Sequence, residues 1–127
     1  MTKTALKLIS DAMDHLGLEY GLGVYNKQPI IYPFFVGEYT ESEPMYETGW
    51  QESTFMLTGY ARGSWLPLED AKEKIERYFS KLGGKTVIGR DGSAVAVFYA
   101  GSLIAPTVDA ELRRIQINLS IQEWKVY

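Results

Sequence analysis

The chain has 127 residues, of which 46% are hydrophobic and 13% aromatic, with a net charge of −3 and no cysteine. That composition suits one folded domain and is too apolar for a disordered chain. It excludes disulfides and thiolate metal sites, and the acidic balance argues against generic binding to nucleic-acid phosphates, which needs a basic surface.

Thr4 to Leu16 reads as an amphipathic helix. Ala5, Leu8 or Ile9, Ala12, Met13 and Leu16 recur at helical spacing on one face, and Lys3, Lys7, Asp11 and Asp14 fall mostly on the other. Gly17 stops it. Polar and charged residues at every turn of this helix rule out the apolar stretch of a signal peptide there. No apolar run approaches the roughly 18 residues of a membrane span, so a soluble protein is expected.

Leu18 to Gln28 is a connection containing Gly21 and Gly23. Gly-Leu-Gly lacks the third glycine of a dinucleotide fingerprint and sits between the wrong elements. Ile30 to Thr40 is a strand rich in aromatic and β-branched residues, with Pro29 and Pro33 limiting its pairing at the start. Glu41 to Trp50 is a polar hairpin loop ending in Gly49, and Gln51 to Arg62 is the returning strand. Phe55, Leu57 and Ala61 face one side of it. Glu52, Thr54, Met56, Thr58 and Tyr60 face the other.

Pro67 opens a second helix, where its missing N–H is harmless. Glu69 and Asp70 lie at the positive end of its dipole and Lys81 at the negative end. Leu68, Ala71, Ile75, Tyr78 or Phe79, and Leu82 form its apolar stripe, and Gly83 and Gly84 end it. Thr86 to Ile88 is a short strand, Asp91-Gly92 a turn, and Ala94 to Ala105 a longer apolar strand expected at the sheet centre. Leu112 to Gln122 closes the chain with strict alternation: Ile115, Ile117, Leu119 and Ile121 against Arg114, Gln116, Asn118, Ser120 and Gln122. A period of two makes one strand with a dry and a wet face, and this last element must pair into a sheet built from earlier segments. The expected fold is α+β: one domain over residues 1–127, a mainly antiparallel β-sheet with two helices packed on one face.

Reactive constellations are scarce. His15 is the only histidine, so neither a histidine-paired nucleophile nor a zinc site can be assembled around it. Its place near a helix C-terminus suits a residue that satisfies carbonyls. No serine lies in a nucleophile elbow, and Gly83-Gly84-Lys85-Thr86 follows a helix and precedes a strand, the reverse of a phosphate loop. Asp109 and Glu111, in the turn before the last strand, form at most a weak cation site and are expected to be solvated surface acids. No catalytic residue, metal ligand or cofactor is expected.

Charge is unevenly placed. Gln28 to Ala61 has no lysine or arginine but carries Glu38, Glu41, Glu43, Glu47 and Glu52. Arg62 to Arg90 carries seven positive residues, among them Lys72, Lys74, Arg77 and Lys81, against four negative ones. One reading is a solvated surface, with Lys72–Glu76 and Glu73–Arg77 as ordinary pairs along a helix. The other is self-association, an acidic hairpin bearing Tyr39, Tyr46 and Trp50 meeting the basic helix of a neighbour.

The order of elements resembles the tail terminator and tail-completion (head–tail joining) proteins of long-tailed bacteriophages and prophages. The resemblance rests on the opening helix (Thr4-Ala-Leu-Lys-Leu-Ile-Ser-Asp-Ala-Met) and the loop with Val24-Tyr25-Asn26 and Pro29. It continues through the strand Tyr32-Pro-Phe-Phe-Val-Gly-Glu into an acidic loop, then the strand opening at Trp50 and ending near Tyr60-Ala-Arg. Leu66-Pro-Leu-Glu-Asp-Ala and the closing Arg114-Ile-Gln-Ile-Asn-Leu-Ser-Ile complete it. It implies a non-enzymatic protein that forms a ring, a hexamer in that family. The ring caps the tail tube, ends its polymerisation and presents a surface to the head connector, with DNA only as passing cargo and no membrane involved. Its place would be the virion tail, and the host cytoplasm during assembly. Glu38, Glu41, Glu43, Tyr46, Glu47 and Trp50 are then the candidates for a tube- or lumen-facing contact, and Lys72, Lys74, Arg77 and Lys81 for the complementary surface. The alternatives are another minor tail or connector component, or a small-ligand-binding domain using Tyr32, Phe34, Trp50 and Trp65. An enzyme ranks last.

Overall fold

A computed structural model describes residues 1–41, 49–80 and 85–125. The elements run α1 (Lys3–His15), β1 (Glu19–Leu22), β2 (Phe34–Glu41), β3 (Trp50–Arg62), α2 (Leu66–Tyr78), β4 (Lys85–Ile88), β5 (Ala94–Ala105) and β6 (Leu112–Trp124). The fold is α+β. Six strands form one sheet in the order β1-β2-β3-β6-β5-β4. Every pairing is antiparallel except β1 with β2.

Thr2 caps α1, its hydroxyl accepting from the Ala5 N–H at 3.2 Å. That hydrogen bond satisfies one of the orphan donors at a helix start. Ala5, Ile9, Ala12 and Met13 are the buried stripe, so Ile9 rather than Leu8 holds the inward position. Gly17 leaves the helix at φ +70°, a conformation glycine adopts without a Cβ clash. In α2, Pro67 stands in the first turn, Leu68, Ala71 and Ile75 are buried, and Phe79 rather than Tyr78 completes the stripe. The expected roles of Lys81, Leu82, Gly83 and Gly84 lie outside the described residues.

The segment expected to be only a connection contains β1, which adds to the free edge of β2 in parallel. β2 begins at Phe34, directly after Pro33, since proline has no N–H for the ladder. The closing strand lies in the middle of the sheet. β6 inserts between β3 and β5 and pairs with β3 along its whole length, from Trp50↔Trp124 to Arg62↔Leu112. β5 matches its expected bounds but not its expected central place, because among the described residues only the four-residue β4 lies beyond it.

Alternation decides which side is dry. Phe55, Leu57 and Ala61 of β3 are buried, as are Ile115, Ile117, Leu119 and Ile121 of β6, and the register sets these residues side by side. They share one cluster with Phe35, Val95, Val97 and the buried residues of both helices. At Ala100 a bulge shifts the β5 register between Tyr99 and Gly101, and Gly101 takes φ +122° there. An extra residue reverses the alternation. Beyond it Ser102 and Ile104 stand across from Ile117 and Ile115, while Leu103 stands across from Gln116.

Candidate functional site

Of the hairpin acids that the structure describes, Glu38 and Glu41 point to opposite sides of the sheet. Glu38 pairs in register with Met56 and is exposed on the wet side. Glu41 pairs with Ser53 on the dry side, and its carboxylate accepts a hydrogen bond from the Met1 ammonium. That bond holds its pKa below the usual carboxylate value. Trp50 stands across from Trp124 at the same end of the sheet. Glu43, Tyr46 and Glu47 lie outside the described residues, as does Lys81. No single acidic strip therefore runs through Glu38 and Glu41.

Two of the three cations of α2 are paired within their own helix. Arg77 donates to Glu73 at 2.7 Å, the expected pair. Lys72 reaches back to Glu69 at 3.8 Å instead of forward to Glu76. Lys74 is exposed and shares a shallow hollow with Asp70, Glu73 and Arg77. Such pairs contribute about 0.2–0.5 kcal/mol each. A helix so neutralised along its own length is a weaker magnet for a neighbour than its cation count suggests.

The aromatic residues considered as pocket lining do not converge. Phe34 stacks between Tyr25 at 4.5 Å and Tyr60 at 5.1 Å, with Tyr32 tilted at 5.5 Å. This ladder lies at the Arg62 end of β3, while Trp50 is at the other end. Trp65 lies beneath the Arg113 guanidinium at 5.7 Å. His15 packs on the Tyr78 ring at 5.6 Å, and the carbonyls it was expected to satisfy are taken by backbone N–H groups of Leu16, Gly17 and Leu18. Asp109 accepts from the Glu111 N–H at 2.9 Å and from Arg62 at 3.3 Å, contacts that hold its pKa down and leave it committed within the turn. Among the described residues no three acidic or histidine side chains are grouped to hold a metal.

Two features escaped the sequence reading. The first is a buried polar seam on the dry side of the sheet, made by Gln51, Ser53 and Glu123. Glu123 is 1% exposed and accepts from the Thr2 N–H at 3.0 Å and the Thr2 hydroxyl at 2.8 Å. Parity along β3 and β6 already places these polar residues on the dry side, and that was the available signal. The second is a pair of apolar margins. Leu22 and Val24 (63% exposed) lie at the end of β1, and Ile30 and Ile31 are exposed in the segment between β1 and β2. Val87 and Ile88 (74%) are exposed on β4 across from Val95 and Ala94, and Leu103 and Ile104 (63%) are exposed near the other end of β5. Single exposed apolar residues are ordinary, but grouped ones mark contact surfaces.

Leu22 also lines a groove of about 500 Å³ between α1 and β1, together with Leu6, Tyr20 and Gly21 and with Lys7, Ser10 and Asp11. Burial pushes the Tyr20 phenol up from 10.0 to about 12. The folded chain thus keeps this proton where an unfolded tyrosine loses it, so the contribution is complete below pH 10 and is lost as pH rises toward 12. Among nine tyrosines, tyrosinate absorbance should show one late step that vanishes in Tyr20→Phe, whose stability should also fall less steeply above pH 10. A late step that survives the substitution would assign it elsewhere. No protein-family model matches the chain, and no curated protein matches it.

Proposed function

We propose that this chain is a non-enzymatic assembly protein of a phage or prophage particle, which forms a ring that caps the tail tube, ends its polymerisation and helps join tail to head. The observation that carries the reading is that both terminal strands of the sheet expose apolar residues, Leu22 on β1 and Val87 and Ile88 on β4. A surface that meets a different surface on the next copy makes a heterologous contact, and such contacts close into rings when the rotation allows. The order of helices and strands along the chain supports the particular family of rings. Its partners are then further copies of itself, the tail tube protein and the head connector, with the genome as cargo.

We also infer that both helices cover the same face of the sheet. Their buried residues belong to one cluster with Phe55, Leu57, Ile117 and Leu119. On the other side Met56, Thr58, Gln116 and Asn118 are half exposed and Glu38, Glu52 and Thr54 are exposed. That arrangement leaves a polar sheet face for the tube or the lumen. Glu38 and Glu52 supply negative charge there, which would let DNA pass without sticking.

Deleting the gene from its phage or prophage tests the proposal by electron microscopy. Overlong tails indicate a terminator, and tails of normal length detached from heads indicate a joining protein. Normal infectious particles would remove the function altogether.

A further inference from the structure

We propose that the Arg62 end of the sheet docks against the same end of a second copy across a two-fold axis. Register brings three connections together there, because Phe34 of β2, Tyr60 of β3, Arg114 of β6 and Ala105 of β5 stand in one row across the sheet. Each connection exposes large apolar side chains. Ile30, Ile31 and Tyr32 lie before β2, Leu66 follows β3, and Val108, fully exposed, lies in the β5–β6 turn. Contiguous apolar surface beyond a few hundred Å² marks a contact site. With the half-exposed Trp65 and the polar residues among them, these loops reach the scale of a stable dimer, about 800 Å² per partner.

The loops are tied together before any partner arrives. Arg62 donates from Nε to the Tyr32 hydroxyl and from Nη1 to Asp109, both at 3.3 Å. The Gly63 N–H donates to the Glu111 carbonyl at 2.9 Å, and Arg113 donates to the carbonyls of Gly63 and Ala110. A preorganised surface loses little loop entropy on docking. The same contacts select the occupant. Arg62 and Asp109, both exposed, form one ion pair between the first and third loops, a dipole rather than a net charge. A net charge would repel its own copy. A dipole turned through 180° sets each charge against its opposite, so the pair is complementary to itself and the apolar side chains around it meet apolar side chains. A two-fold contact uses one patch twice. It is separate from the heterologous contacts proposed for the ring and does not depend on them.

Sedimentation of the full chain over a concentration series tests the contact. The parent should show a reversible dimer. Leu66→Glu and Val108→Asp change only exposed side chains and should leave the melting temperature nearly unchanged, yet each should weaken the dimer by about tenfold or more. Asp109→Arg gives a patch with two positive charges, and Arg62→Asp gives one with two negative charges. Each of these alone should stay monomeric where the parent is dimeric, while an equimolar mixture of the two should dimerise. A parent that is monomeric at every concentration, or a dimer untouched by Leu66→Glu and Val108→Asp, overturns the proposal. A mixture no more associated than its components does so too, because it removes the charge pairing that selects a second copy.

Discussion

Gly59→Ala is expected to destabilise the fold by about 2 kcal/mol, although the substitution adds a single methyl group. A Cβ at Gly59 would stand 2.5 Å from Cε1 and 2.9 Å from Cζ of Phe35, distances that real Cβ atoms do not tolerate. Phe35 is fully buried directly across the β2–β3 ladder, so its ring has no solvent to swing into. The arrangement is reciprocal. Phe55 of β3 lies against Gly37 of β2, where a Cβ would meet its Cζ at 2.5 Å. Each ring covers a glycine of the neighbouring strand, which lets two phenylalanines share one layer of core between adjacent strands.

Two effects compete in that number. Alanine restricts the unfolded chain and so contributes about 0.4–1 kcal/mol of stability. Overpacking a dense core costs about 1–3 kcal/mol, and a ring locked on both sides puts this site at the upper end. The cost should win, lowering the melting temperature by roughly 8 °C. Phe35→Leu shrinks the ring that is in the way, so Gly59→Ala should cost at least 1 kcal/mol less in that background than alone. Urea unfolding of the four proteins in the cycle measures this. Strict additivity would mean that the ring is not what opposes the methyl group.

The glycines also show how far the fold was legible in the residues. Alternation along Leu112 to Gln122 identified a strand with one dry face, and the structure places it where a strand dry along its whole length belongs, between two others. Both helix starts and the end of α1 followed from the apolar stripe, Pro67 and Gly17 within a residue or two, but α2 ends at Tyr78, short of the end expected at Gly83. β1 was missed because four residues beside two glycines establish no period. It is a strand because β2 offers it an edge, which is a non-local fact. Strand order is non-local too, so Ala94 to Ala105 was expected at the centre while the real margins, with Ile88 and Ile104, had no sequence mark. The basic helix is the opposite case. Its charges were conspicuous in the sequence, and the pairs that neutralise Lys72 and Arg77 lie three and four residues away.

Glu123→Ala should have the largest effect of any polar substitution among the described residues, about 3 kcal/mol. A carboxylate on the dry side of a central strand is costly unless every contact is made. Here one oxygen accepts two hydrogen bonds from Thr2, and the other lies 4.0 Å from the Lys125 ammonium without a hydrogen bond of its own. Thr2 in turn caps α1. The carboxylate therefore places negative charge at the positive end of the helix and ties that end to β6. Alanine would leave the Thr2 donors without their acceptor, Lys125 without its counter-charge and a void in the seam. Glutamine keeps the shape and an acceptor for Thr2 but sets an amide opposite Lys125, so it should cost about 1 kcal/mol. Thr2→Ala should cost about 1 kcal/mol through the lost cap. Combined with Glu123→Ala it should add less than that, because the same hydrogen bonds are already gone. Hydrogen exchange at Ala5 and Leu6, the first capped amides of α1, should accelerate in Glu123→Ala while the centre of β3 stays protected. An alanine variant within 1 kcal/mol of the parent, or one no weaker than the glutamine variant, would show that α1 is held by its apolar stripe alone. If the seam holds the helix, then one wall of the α1–β1 groove depends on Glu123.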